Sequence, residues 1–429
     1  MDRNPMRRSR SSRIMGIRAV AAIIVAISST LRAADWLQWG GPKGDFTVDA
    51  TGLADKWPEG GPKQIWKRTL GDGYSSVLVK GNTLYTLFRE GEDEILVALD
   101  AATGTTRWEQ RHPRTIWPDM TREFGVGPNA TPAITGEKII WVGVAGTVRC
   151  HELEAGKLLW EHDLPAEYGR RKRKEEYGYS ISPLIYREHV IVAVGGDRAG
   201  VIAFRPADGS VAWTSEPVAV SYAAPLLTKL NGRDQYIFFT PTEIISLDPG
   251  TGKFLWRHPV VCDTENNLTP AMRCDDSHIW AASQFRAGGG RLLKVLPEGN
   301  GSSVSESWFT PKLQATHSTF ILLGDYLYGS IGSNQLSFFA AFEWGTGKIA
   351  WRQRAMHKAL CIYADEKIIA LDENGVLSLA KVSPSGLTIL DSTPLTEAVS
   401  WTVPTLVSTT LYVRDRRHLM ALDLSRSGP

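Results

Sequence analysis

Six near-copies of one short phrase constrain this chain more than any other feature. The first reads Leu-Asp-Ala-Ala-Thr-Gly-Thr-Thr-Arg-Trp and closes at Trp108; others close at Trp160, Trp213, Trp256 and Trp351, and a fainter one at Leu390. Each sets a Gly four residues before a bulky apolar residue. A period of about 40–50 residues built from strand-like units is what a propeller shows in sequence. Repeats of this kind share one continuous stacked core. The 429 residues therefore do not imply the two or three separate domains that length alone would suggest.

The order of elements between landmarks is constant. After Trp108, residues 131–135 read as a strand, Gly136-Glu137 as a turn, 138–144 as a strand and Ala145-Gly146 as a turn. Residues 147–153 alternate, Glu154-Ala155-Gly156 turns again, and 157–160 form the last strand. Four short strands joined by tight turns make one antiparallel blade. The Gly before each Trp suits a turn position of positive φ, which only Gly adopts cheaply. Blade one covers residues 74–108, and blades two, three and four end at Trp160, Trp213 and Trp256. Blade five ends at Trp308 in a decayed copy with residues 302–307 in the turn; blade six ends at Trp351 and blade seven near Leu390.

Residues 401–424 supply three more strands and then the chain stops. Residues 62–68, carrying Trp66, read as a Trp strand with no blade before it. Pairing that strand with the last three completes an eighth blade and hides an open sheet edge. The expected fold is all-β: an eight-bladed β-propeller of four-stranded antiparallel blades over residues 62–429, closed by the N-terminal strand joining the C-terminal blade. Trp66, Trp108, Trp160, Trp213, Trp256, Trp308 and Trp351 then have a structural role. Each ring fills the wedge between neighbouring sheets and buries about 150–250 Å².

Upstream of the repeats, residues 3–18 are basic, 19–27 are a short apolar run, and 28–34 are mostly small. This is a secretory signal pattern, too short to span a bilayer as a membrane helix, with an uncleaved anchor as the rival reading. Residues 1–34 are expected to be a signal peptide and 35–61 an N-terminal extension of a periplasmic or extracellular protein. No cysteine lies at the cleavage site, so a lipoprotein is not expected, nor a transmembrane span after cleavage. Net charge is +2, which offers no global field for nucleic acid. Of the four cysteines, Cys262 and Cys274 could pair in an oxidising compartment; separate buried thiols fit equally well.

Chemistry is expected where the innermost strands begin. Pro132, Pro183, Pro225, Pro270 and Pro404 recur there, with Val77, Phe320 and Cys361 in the same place elsewhere. Three residues earlier stand Tyr74, Asn129, Ser180, Tyr222, Asn267, His317, Lys358 and Trp401, all polar or aromatic. This ring at the channel mouth is the candidate ligand site, since binding residues concentrate on loops of one face. A second loop set on the same face carries Arg89, Arg198, Arg286 and Arg414, able to grip an acidic ligand. Residues 92–94 (Glu-Asp-Glu) and 275–278 (Asp-Asp-Ser-His) resemble metal clusters, but read better as solvated turns. The basic insert at residues 170–174 reads as a solvated loop, and the histidines lack metal-ligand spacing.

The Asp-x-x-Thr-Gly-x-x-x-Trp phrase resembles the tryptophan-docking repeat of pyrroloquinoline-quinone-like propellers of the quinoprotein alcohol dehydrogenase-like superfamily. The stretch Asp35-Trp36-Leu37-Gln38-Trp39-Gly40-Gly41-Pro42 resembles the mature start of exported members. The resemblance covers essentially the whole mature chain and implies the fold; it leaves activity open, because fold is not function. It admits a non-catalytic binding module or scaffold of the periplasm or cell envelope, like the outer-membrane assembly propellers, or a quinone-dependent alcohol or sugar dehydrogenase. In the dehydrogenases the quinone lies over a channel Trp and contacts calcium held by Glu and Asn, an Asp acts as base, and adjacent cysteines often cap the cofactor. Trp401 could stack the quinone, and Lys358 or the loop arginines could meet its carboxylates. The aligned ring, however, holds no Asp or Glu, and no two cysteines are adjacent. The expectation is therefore a monomeric binding module with no metal or cofactor and no catalytic residue identified, taking a protein partner or small ligand on the channel face. The alternative is a dehydrogenase carrying pyrroloquinoline quinone with calcium.

Overall fold

Alternating strands whose ends are pinned by Gly turns can bury both faces only by stacking on further copies of themselves. The computed structural model shows how this sequence does so. It describes residues 1, 34–170, 176–260, 269–284, 288–299, 301–333 and 335–426. The chain divides into two units, Met1–Arg32 and Ala33–Pro429. The first lies, but for Met1, outside the described residues, and with it the expected signal segment.

The second unit is a ring of eight four-stranded antiparallel sheets, a β-propeller. Blade one shows the pattern: Leu78–Lys80, Thr83–Glu90, Asp93–Asp100 and Thr106–Pro113, in chain order from inside to outside. The two middle strands are almost wholly buried, whereas the outermost alternates exposed and half-buried positions. The eighth sheet draws on both ends of the chain. Lys63–Thr69 pairs antiparallel with His418–Asp423, with Trp66 opposite Ala421. The largest apolar cluster runs through this sheet into blades one and seven.

The repeated phrase joins each blade to the next. The Trp66 indole Nε1–H donates to the Ala101 carbonyl at 3.0 Å, Trp160 to Pro206 at 3.1 Å, Trp213 to Pro249 at 3.2 Å and Trp308 to Trp344 at 3.0 Å. In each case the carbonyl lies in the turn of the following blade. The Gly of that turn lies under the ring: a Cβ at Gly104 would come within 2.8 Å of Trp66, and one at Gly252 within 2.3 Å of Trp213. These glycines also have φ of +73° and +71°. One residue thus meets a conformational and a steric demand.

Two copies depart from the pattern. In blade five, residues 302–307 are strand rather than turn: Gly290–Glu298 and Gly301–Thr310 form a long hairpin turning between Glu298 and Gly301. Trp256, which precedes it, donates instead to Gln235 Oε1 within its own blade at 2.7 Å. Blade seven ends its phrase in Leu390, and there the extension contributes. Trp57 is buried in the same apolar cluster as Leu390, with its N–H on the Asp391 carboxylate at 2.7 Å.

The extension also crosses the channel. Innermost strands have one unpaired edge facing the axis, and its buried N–H and C=O groups need partners. Trp36 exchanges backbone hydrogen bonds with Val79 of blade one at 2.8 and 2.9 Å, and the Leu37 carbonyl accepts from Ile134 of blade two at 2.8 Å. Phe46 and Val48 pair with Tyr363 of blade seven, each at 2.9 Å. Residues 36–48 therefore cover the axial edges of blades seven, one and two towards the end of the channel opposite the ring of residues three before each inner strand. No helix among the described residues is long and apolar enough to cross a membrane.

Candidate functional site: a blind cup on the propeller axis

The inner strands deliver their leading residues to one place. Tyr74, Asn129, Ser180, Tyr222, His317, Lys358 and Trp401 all line a single cavity of about 530 Å³. Asn267, the eighth ring position, lies outside the described residues. Extended backbone repeats its direction every second residue, so a deeper layer follows: Ser76, Thr131, Ser182, Ala224, Leu360 and Val403 line the same cavity. Trp39, from the extension, is at its floor. Phe124 and Tyr177 reach in from the segments joining blades one to two and two to three, and Glu373 from a turn of blade seven.

Hydrogen bonds between neighbouring blades hold these residues. The Ser76 N–H donates to Thr131 Oγ1 at 3.1 Å, and the Thr131 N–H to Ser182 Oγ at 2.9 Å. The Asn129 carboxamide donates to Ser180 Oγ at 3.2 Å. The rim segment carrying Phe124 is anchored at Asp72, whose carboxylate accepts from the Val126 N–H at 2.7 Å and from Arg416 Nε at 2.5 Å. The Thr121 N–H donates to the Glu176 carbonyl at 2.8 Å, tying the two rim segments together.

An aromatic belt surrounds the mouth. His317 stacks on Trp401 at 4.6 Å and 22°; Tyr74 and Phe124 lie 5.2 and 5.0 Å from the same indole. Tyr177 and Tyr222 meet edge-on at 5.6 Å. Burial, and then the Lys358 charge, push the His317 imidazole down to about 3, so it is neutral at neutral pH. Burial pushes the Tyr74 phenol up to about 12. Lys358 Nζ lies 2.6 Å from Glu373 Oε2, a close ion pair. His317 and Lys358 both adopt φ of +46°. This left-handed conformation is uncommon outside Gly and is found where a side chain's aim is set by its surroundings.

Of the second loop set, Arg89, Arg198 and Arg414 do not line this cavity. Arg89 is buried, donating to the carbonyls of Gly91, Glu92 and Arg114 at 3.0, 3.2 and 2.7 Å. Arg414 is buried too, on the carbonyls of Ser75 and Leu87 and the Thr86 hydroxyl. Both satisfy backbone acceptors that the inner turns leave open, so neither is available to grip a ligand. Arg198 donates to the Ala166 carbonyl at 3.0 Å, and Arg286 lies outside the described residues.

Other expectations also change. Glu94 is not in a solvated turn: it is fully buried and accepts from the Val144 N–H at 2.6 Å. Burial raises its pKa. Beside it, His112 lies 5.0 Å from His151 and 5.6 Å from Trp141, between blades one and two. Asp275 caps its own turn, accepting from the Ser277 and His278 N–H groups at 2.7 Å each. Cys150, Cys274 and Cys361 are free thiols; Cys262 and the basic residues 171–174 lie outside the described residues.

Sequence reasoning missed the deeper layer, Trp39, Phe124, Tyr177 and Glu373. The deeper layer was reachable by adding two to six of the eight ring positions. Glu373 was reachable by carrying the second loop set on to blade seven. The floor and rim come from segments outside the repeat and carry no such signal.

The described lining does not fit calcium with pyrroloquinoline quinone. Calcium takes six to eight oxygens, several from carboxylates. Glu373 is the one carboxylate among the described lining residues, and it pairs with Lys358. Among the described residues no group of three or more His, Cys, Asp or Glu side chains could hold a metal. Trp401, the expected stacking floor, already carries His317 on its ring.

Fold and site together define a β-propeller with a blind axial cup. A family model described as outer membrane protein assembly factor BamB matches residues 56–178 and 92–353, and the chain belongs to this family of pyrroloquinoline-quinone-like propellers. No curated protein matches it in sequence. Its fold is similar to that of BamB from Moraxella catarrhalis, at a TM-score of 0.59 and 15% identity over 84% of this chain and 99% of that one. It is also similar to the quinohemoprotein alcohol dehydrogenase from Comamonas testosteroni, at 0.61 and 12% over 92% of this chain and 81% of that one. Identities this low carry the fold alone.

Proposed function

We propose that this chain is an exported, non-catalytic binding propeller of the cell envelope that holds its ligand in the axial cup. The observation that carries the reading is the lining itself. Repeat after repeat delivers a polar or aromatic side chain to one blind cavity, while the only described carboxylate there is neutralised by Lys358. Such a cup binds by shape, stacking and hydrogen bonds. The secretory pattern of residues 1–34 supports export. Likeness to a protein named as an outer-membrane assembly factor supports an envelope setting.

The test is equilibrium dialysis of the protein against pyrroloquinoline quinone with and without calcium, followed by dye-linked oxidation of alcohols and sugars. The reading expects no calcium-dependent retention and no dye reduction. Tight calcium-dependent retention with turnover would establish the dehydrogenase instead.

A further inference from the structure

We infer that the axial cup is a binding site for a short, uncharged glycan. This deepens the proposed function and rests on it. Charge comes first. The one cation and one carboxylate among the described residues that line the cup, Lys358 and Glu373, are 2.6 Å apart and cancel. Arg89 and Arg414, which could have answered an anion, are buried on carbonyl oxygens. An anionic ligand would lose its water with no unpaired cation among the described lining residues in return, and that loss is expensive.

Ring geometry comes second. Relative to Trp401, Tyr74 is tilted by 39° and Phe124 by 61°, and Tyr177 and Tyr222 meet at 75°. These rings do not make a parallel slot for a flat molecule. They present several apolar faces at different angles. A chair-shaped sugar has that complement: apolar C–H faces and a polar rim. Aromatic side chains suit such a ligand because they pair a large apolar face with, in Tyr and Trp, a polar tip.

Polar depth comes third. Thr131 and Ser182 each accept a backbone N–H, and among the described residues no acceptor takes their own hydroxyl protons. Asn129 uses its amide nitrogen on Ser180, leaving its carbonyl oxygen as an acceptor. Donors thus lie one layer below an acceptor, and sugar hydroxyls both give and take hydrogen bonds. Size is the last constraint. A cavity of about 530 Å³ with Trp39 in its lining admits a few sugar units, not a long chain.

The experiment is calorimetric titration of the protein with maltotriose, cellotriose and chitotriose, with riboflavin as a flat uncharged competitor and pyrroloquinoline quinone with calcium as the charged one. Two variants accompany it, each checked for native circular dichroism: Ala224→Trp, which fills the cup, and Asn129→Leu, which removes the acceptor. The inference expects saturable binding of at least one trisaccharide, weakened at least tenfold in either variant that folds. Glycan binding indifferent to both folded variants would overturn the site. Failure of all three trisaccharides would overturn the inference; riboflavin bound in a variant-sensitive way would then leave the binding reading standing. Calcium-dependent quinone binding with turnover would remove both.

Discussion

At the scale of single residues, the phrase Gly-x-x-x-Trp carries two demands, and only one could be read from the chain. Positive φ at Gly252 follows from its turn. Its approach to Trp213 of the preceding blade needs the neighbour in view. Gly252→Ala places a Cβ 2.3 Å from that ring at φ of +71°, an overpacking expected to cost about 1–3 kcal/mol. Gly386→Ala, with nothing within 4 Å, is expected to stay within about 0.5 kcal/mol of the parent. Urea-unfolding midpoints of the two variants, at unchanged slope, test the contrast. A second residue effect is invisible in sequence. Burial, then Arg149 and His151, push the His112 imidazole down from 6.5 to about 4. A histidine held neutral when folded binds fewer protons than when unfolded. Its contribution is therefore complete above about pH 6.5 and is lost as pH falls towards 4. His112→Phe is expected to flatten part of the acid loss of stability across that window, measured as thermal midpoint against pH.

At the scale of elements, the blades were legible and the connecting segments were not. Each strand of blade two lies within a few residues of where alternation and turn residues put it, because local pattern and packing agree there. Blade five misled because its serines sit in a hairpin extended past the usual turn, where long-range pairing overrides local turn preference. The rim segment of residues 114–128 has no repeat to align with, yet its Val126 N–H is pinned on the Asp72 carboxylate, which Arg416 of blade eight holds in turn. Asp72→Ala removes that anchor. Protease cleavage within residues 114–128 is expected to rise at least tenfold while circular dichroism stays native; an unchanged cutting pattern would show that the segment is held by other contacts.

At the scale of the molecule, the repeat register points to the wall of the cup, since aligned positions in a ring must converge on its axis. Tyr74, Asn129, Ser180, Tyr222, His317, Lys358 and Trp401 came from that symmetry. Trp39, Phe124 and Tyr177 did not, because floor and rim are where the chain breaks symmetry. Glu373 lay between the two cases: a repeat position whose neighbours in other blades are arginines. What turns a tunnel through a propeller into a cup is the segment of residues 36–48, which supplies the axial edges of three blades with backbone partners. The Val79, Ile134 and Tyr363 amides donate to Trp36, Leu37 and Phe46 respectively, at 2.8–2.9 Å. Residue-resolved amide hydrogen exchange at those three positions tests the blind cup most directly. Exchange as slow as that of the ladder amides within the same blades is the predicted result; exchange as fast as that of exposed turns would mean an open channel.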